Sequence, residues 1–167
     1  MKRIKKAALS ILLIFLAEGL GAQSDWSIVM LKTLHGTMVS FSALTQKDSL
    51  ILVCFFACTS EISINELNAI NSNYEKWKSE IHFKMLAVSV DQGKNANRVR
   101  PTVNLNGWTF DVYTDINGDL QKTLNSNNLP QSMILKKGRV LYQQSGYQPG
   151  TENYLFQRIK AISEGRE

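Results

Sequence analysis

The chain is poor in the residues that would take it out of the ordinary globular class. Of its 167 residues only two are cysteine and three proline, too few for a disulfide-stapled scaffold or a proline-rich linker. Its longest early apolar run, residues 7–17 broken only by Ser10, falls short of the roughly 20 residues a membrane-spanning helix needs. It has little charge of one sign to spend on nucleic acid. Of the formal +5, Lys2, Arg3, Lys5 and Lys6 against Glu18 place +3 in the first 22 residues and leave +2 for the rest, with no Lys/Arg cluster interleaved with aromatics. Nucleic acid is therefore not an expected partner. Internal repeats, low-complexity tracts and a Gly-x-Ser-x-Gly elbow are absent too, which leaves one α/β domain and no ready serine-hydrolase site.

What is present begins with an export signal. A basic start, an apolar stretch and the small residues Gly19, Gly21 and Ala22 before Gln23 predict residues 1–22 as a secretory signal peptide and residues 23–167 as the mature domain. No cysteine lies near the expected cleavage point, so a lipid-modified cysteine is not available. The expected product is periplasmic or extracellular, without stable membrane insertion after cleavage.

Hydrophobic patterning predicts the order β-β-β-α-β-α-β-α-β-β-α. Residues 26–31 and 37–41 read as two short strands around a turn at His35-Gly36, followed by a polar link. Residues 50–56, Leu-Ile-Leu-Val-Cys-Phe-Phe, form an unbroken apolar run that fits a fully buried strand. A helix follows over about 60–79, with Ile64, Leu67, Ile70, Tyr74 and Trp77 at helical spacing and Glu61 and Glu66 in its first turns, where the helix dipole favours negative charge. Residues 83–90 read as a second core strand. A short helix interrupted near Pro101 leads to a strand at 108–113, a short helix around Leu120 and Leu124, a hairpin of 133–135 and 140–142, and a closing amphipathic helix over 151–163. Strand, long helix, strand is the pattern of a parallel sheet, and the chemistry is expected at the carboxyl ends of its strands.

The two cysteines, Cys54 and Cys58, should be free thiols. Four residues along a strand rising ~3.3 Å each separate their Cα atoms by roughly 13 Å, beyond the ~7 Å a disulfide tolerates. Cys54 reads as core. Cys58 reads as a small half-buried residue or as a single attacking thiol beside a helix N-terminus, with the nearby Glu61 raising its pKa. A copper site on Cys54-x-x-x-Cys58 needs both thiols beyond the strand; with Cys54 inside it, no metal is expected, and nothing in the chain calls for a cofactor.

Leu52-Val-Cys-Phe-Phe-Ala57, Asn65-Glu-Leu67, Leu86-Ala-Val-Ser-Val-Asp91, Asn106-Gly-Trp108, Asp111-Val-Tyr-Thr-Asp115, Asn128-Leu-Pro130 and Gly138-Arg-Val-Leu141 together resemble the TlpA/ResA-like, redoxin-type thiol–disulfide oxidoreductases. The resemblance covers nearly the whole mature chain and implies a thioredoxin-like three-layer sandwich with a mixed central sheet. In that family the strand runs into Phe-Trp-Ala-Thr-Trp-Cys-x-x-Cys. An ungapped overlay puts Ser60-Glu-Ile-Ser63 on the Cys-x-x-Cys, and the family's spacing of six residues from the first Cys to the Glu of Glu-Leu leads from Glu66 back to Ser60.

By that resemblance Ser60 and Ser63 occupy the positions of the active cysteines. A thiol at a helix N-terminus can be drawn to a pKa of ~3.5–7.5, whereas an alcohol stays protonated and passes no disulfide. Ser60 also suits an N-cap, with Ser63-x-x-Glu66 as an alternative capping box. Pro130 matches the family's cis-proline, which with the preceding residue pairs main chain to main chain with an extended client; by itself Asn-Leu-Pro reads as a loop breaker. The resemblance thus implies a peptide or protein client held by Thr59, the Ser60 helix end and Leu129-Pro130. The rival is a thiol oxidoreductase working through Cys58.

Overall fold

The computed structural model describes Trp26, residues 28–45 and residues 50–166. The signal peptide expected over 1–22 lies outside the described residues. The described residues form seven strands: β1 (Met30–Thr33), β2 (Met38–Ser40), β3 (Leu50–Phe56), β4 (Phe83–Ser89), β5 (Asp111–Thr114), β6 (Gln131–Lys136) and β7 (Arg139–Ser145). They form one sheet in the order β2-β1-β5-β4-β3-β6-β7. β3, β4 and β5 run parallel, while β1, β2, β6 and β7 pair antiparallel, so the sheet is mixed. The helices are α1 (Phe41–Thr45), α2 (Glu61–Glu80), α3 (Val99–Asn106), α4 (Asp119–Thr123) and α5 (Thr151–Ser163), with a 3₁₀ segment at Gly93–Arg98 ahead of α3.

All seven residues of β3 are buried, and their alternation divides the core in two. Leu50, Leu52, Cys54 and Phe56 pack with Leu67, Ile70, Tyr74 and Trp77 of α2 and with Leu155, Phe156 and Ile159 of α5. Ile51, Val53 and Phe55 face the opposite way, onto Phe41 of α1 and Leu120 beside Leu31, Leu86, Val88 and Met133. Helices on both faces of a mixed sheet make three layers, as expected. Each large apolar side chain taken out of water contributes about 1.5–3 kcal/mol to this arrangement.

Several local expectations need correction. The first strand starts at Met30 rather than Trp26, because Trp26 turns in to meet Phe41 edge-on at 5.5 Å. Part of the link after β2 is helical: Ser40 Oγ accepts from the Ala43 N–H and caps α1. Pro101 does not interrupt a helix. It is the third residue of α3, where a backbone N–H would have no partner within the helix in any case. Trp108 is not in a strand. Its ring meets Phe56 edge-on at 5.3 Å, and its indole N–H donates to Asn68 Oδ1 at 2.7 Å, which ties the α3–β5 connection to α2. At the other end of the sheet, the β6–β7 pairing carries a register shift between Ile134 and Leu135.

Candidate functional site

The apolar run of β3 ends at Phe56, and the next four residues turn into α2. The Ser60 N–H donates to the Ala57 carbonyl (3.0 Å), and the Ser60 carbonyl accepts the first helical bond from the Ile64 N–H (3.1 Å). Ser60 is the N-cap, as expected, with extended backbone. Its Oγ accepts from the Ser63 N–H at 3.3 Å and from the Ser63 hydroxyl at 2.9 Å. Ser60 is half-buried and Ser63 fully buried, while Thr59, Glu61 and Ile62 are exposed around them. Such a cap is worth about 1 kcal/mol. The alternative capping box is not formed, since Glu66 points into the protein.

The turn is clamped from the neighbouring strand. Asp91, just past β4, accepts from the Cys58 N–H (2.8 Å) and from the Ser89 hydroxyl (2.8 Å) through the same Oδ2. Both cysteines are free. The Cys58 thiol is pushed up to about 11, first by burial and then by Asp91, with Thr102 and Arg98 pulling the other way. Sequence had assigned the opposing carboxylate to Glu61, whereas the one that acts is Asp91. A thiol so raised is almost wholly protonated at neutral pH and a weak nucleophile.

β6 supplies the other wall. The Leu129–Pro130 peptide is cis, and the Pro130 carbonyl accepts from the Gly146 N–H at 2.8 Å. Because Gln131 pairs with Phe55, Pro130 lies at the level where β3 gives way to the Ala57–Ser60 turn. The fold therefore brings Cys58, Thr59, Ser60, Ser63, Leu129 and Pro130 to one end of the sheet, the carboxyl end of the parallel strands. His35 and His82 are exposed, His35 in the β1–β2 turn and His82 at the entry to β4. Among the described residues no cluster of His, Cys, Asp or Glu could hold a metal ion.

Behind the serines lies a group of residues that sequence reasoning missed. Cys54, Ser132 and Gln144 are cross-strand neighbours on β3, β6 and β7. Ser132 Oγ sits 3.1 Å from Cys54 Sγ and 3.0 Å from Glu66 Oε1. One hydroxyl proton serves one of these partners, so the natural chain is thiol to hydroxyl to carboxyl. Glu66 is 1% exposed, and burial pushes its carboxyl up to about 7; Ser132 and Gln144 oppose the shift and Glu152, at the start of α5, adds to it. Cys54 is raised well above its ordinary value, by burial and then by Glu66. By sequence Glu66 has only a helix-dipole role and a place in the alternative capping box. The signal that could have placed it is spacing: the buried stripe of α2 runs Ser63, Glu66, Leu67, Ile70, Tyr74, Trp77, so Glu66 lies within the apolar face.

An uncharacterized thioredoxin-like protein from Porphyromonas gingivalis, solved in solution, is 31% identical over 83% of this chain and 92% of its own, with a TM-score of 0.72. The chain belongs to the thioredoxin-like proteins. Two further neighbours of this fold are a putative thiol:disulfide interchange protein DsbE from Chlorobium tepidum (22% identity, 79% and 90% covered, TM-score 0.68) and StoA from Bacillus subtilis (20% identity, 77% and 94% covered, TM-score 0.62). At those identities the likeness is one of fold. No family model matches the chain, and neither does any curated protein. For a thioredoxin-like protein, the chemistry at the end of the sheet has to be argued from its own residues.

Proposed function

We propose that the chain is an exported binding module of the TlpA/ResA-like branch of thioredoxin-like proteins, without dithiol chemistry, that holds an extended peptide or protein client. The client would lie in the groove of Thr59, the Ser60 end of α2 and Leu129-Pro130. The observation that carries this reading is the Ser60–Ser63 pair. Two hydroxyls bonded to each other at 2.9 Å head α2, at the positions where the family resemblance puts two thiols. An alcohol at a helix N-terminus neither ionises at neutral pH nor exchanges with a disulfide, so the site keeps a shape and loses a reaction. The name of the Chlorobium neighbour, a thiol:disulfide interchange protein, describes the chemistry this chain is proposed to have given up. The raised Cys58 thiol weighs against a single-thiol enzyme at the same place.

Insulin reduction by dithiothreitol tests the loss. The native chain should not accelerate it, whereas the Ser60→Cys, Ser63→Cys double variant should form a disulfide between the two positions and accelerate it detectably. Acceleration by the native chain that disappears in Cys58→Ala would overturn the reading in favour of the single thiol. A folded double variant with neither disulfide nor activity would overturn the overlay itself. Amide NMR shifts on adding a cysteine-free extended peptide should fall on Thr59, Ile62 and Leu129; shifts elsewhere or none would remove the groove as the binding site.

A further inference from the structure

A second concavity lies apart from the residues of the serine groove, between strands β1 and β5 and the segment that crosses from β4 to β5. It is a groove of about 560 Å³, with Lys32 of β1 on one side, Asn97 and Arg100 of the 3₁₀–α3 segment on the other, and Leu34, Pro101 and Ile116 supplying apolar surface. That volume is within the range of small-molecule sites. The 3₁₀–α3 segment separates it from Cys58, which faces Arg98 and Thr102 from the other side.

The charge of the groove has one sign. Among the described residues no Asp or Glu lines it. Asp111 of the adjoining β5 pairs with Lys84 at 3.1 Å, and Asp115, just past that strand, is buried and accepts from the Gln121 N–H through Oδ2 at 2.8 Å. Arg100 donates one guanidinium N–H to the Leu34 carbonyl, which fixes its head group at the rim and leaves further donors of the fork available. Two cations facing a concave, partly apolar wall concentrate positive potential there. We propose that this groove is a binding site for a small amphipathic organic anion, its acidic head between Lys32 and Arg100 and its apolar body against Leu34, Pro101 and Ile116. The proposal stands apart from the peptide groove and does not depend on it.

The probe pair is anilinonaphthalene sulfonate and phenylnaphthylamine, which share the apolar body and differ by the anionic group. Added to the folded full-length mature protein, the sulfonate should bind saturably at one site. Its amide NMR shifts should centre on Thr33, Asn97 and Thr114, and its affinity should fall as salt is raised. Lys32→Gln and Arg100→Gln should each weaken it about tenfold or more, as for losing one hydrogen bond to a charged group, and should leave phenylnaphthylamine unchanged. Among the described residues the Lys32 side chain makes no hydrogen bond or ion pair, so Lys32→Gln keeps the test valid if Arg100→Gln loosens the Leu34 turn. Equal binding of the neutral probe at these residues, sulfonate affinity unchanged in Lys32→Gln, or shifts centred on Leu129 and Thr59 would each overturn the proposal.

Discussion

The two faces of strand β3 hold the same chain to different standards. On the α1/α4 face, Ile51, Val53 and Phe55 pack in an apolar cluster with Leu86, Val88 and Met133. On the α2/α5 face, the same strand presents Leu50, Leu52, Cys54 and Phe56, and Cys54 meets the Ser132 hydroxyl, which in turn meets the Glu66 carboxyl that Gln144 also approaches. Desolvating a carboxyl costs several kcal/mol unless it stays neutral. One face of β3 thus packs its side chains in an apolar cluster, and the other sets Cys54 beside the Glu66 group directly below the serine pair.

The sharpest way to break this comparison is to cut into the apolar face. Phe55→Ala should cost about 3–5 kcal/mol in urea denaturation, as large-to-small core changes do. A loss below about 1.5 kcal/mol would mean that the face is not tightly packed.

The polar face should respond with the opposite sign. A carboxyl raised in the folded state from its ordinary 4.5 to about 7 lets the fold keep its full stability below the lower value and lose it progressively as pH rises through the higher one. Glu66→Gln removes that loss while keeping an acceptor for Ser132. It should therefore stabilise the protein by about 3 kcal/mol at pH 8, shrinking below about 1 kcal/mol at pH 5. Denaturation curves at the two pH values check this, and a pH-independent effect would separate Glu66 from titration.

Smaller effects sharpen the same contrast near the site. Ser60→Ala should cost about 1 kcal/mol through the lost cap, and Ser60→Gly only a few tenths. Equal losses in the two variants would make the hydroxyl's cap incidental. Maleimide should label Cys58 well before the fully buried Cys54, and the Cys58 rate should keep climbing past pH 9, since its thiol is pushed up to about 11. A plateau near pH 7 would show a thiolate that the geometry does not support.

Much of this arrangement was legible because the signals were redundant. The unbroken apolar run of 50–56 marked a doubly covered strand, and its central place between β4 and β6 follows from that burial. Ser60 was readable as a cap from residue type and position together. Where the signal was single, it misled. Pro101 looked like a break because the turn before it was not recognised as the helix start. Glu66 was explained by the helix dipole and the capping box alone, because a charged residue in the first turns of a helix has a sufficient local explanation; its place in the apolar stripe of α2 points inward, and the partners Ser132 and Gln144 account for a carboxyl there. Asp91 was seen as the end of a strand. Its bond to the Cys58 N–H crosses 33 residues of sequence, a distance at which spacing carries no information.

The ends of the sheet bear on how copies of this chain behave at high concentration. On one side the border strand β2 is three residues long, too short to template much pairing with a neighbouring molecule. On the other side β7 is longer but starts with Arg139, just after Lys136-Lys137-Gly138, and the register shift at Ile134/Leu135 bends the ladder beneath it. Short borders, cations and irregular pairing are the features that keep exposed backbone from stacking strand on strand. Borders finished in this way would leave the proline turn, where an extended client is proposed to bind, as the place for main-chain pairing with another molecule.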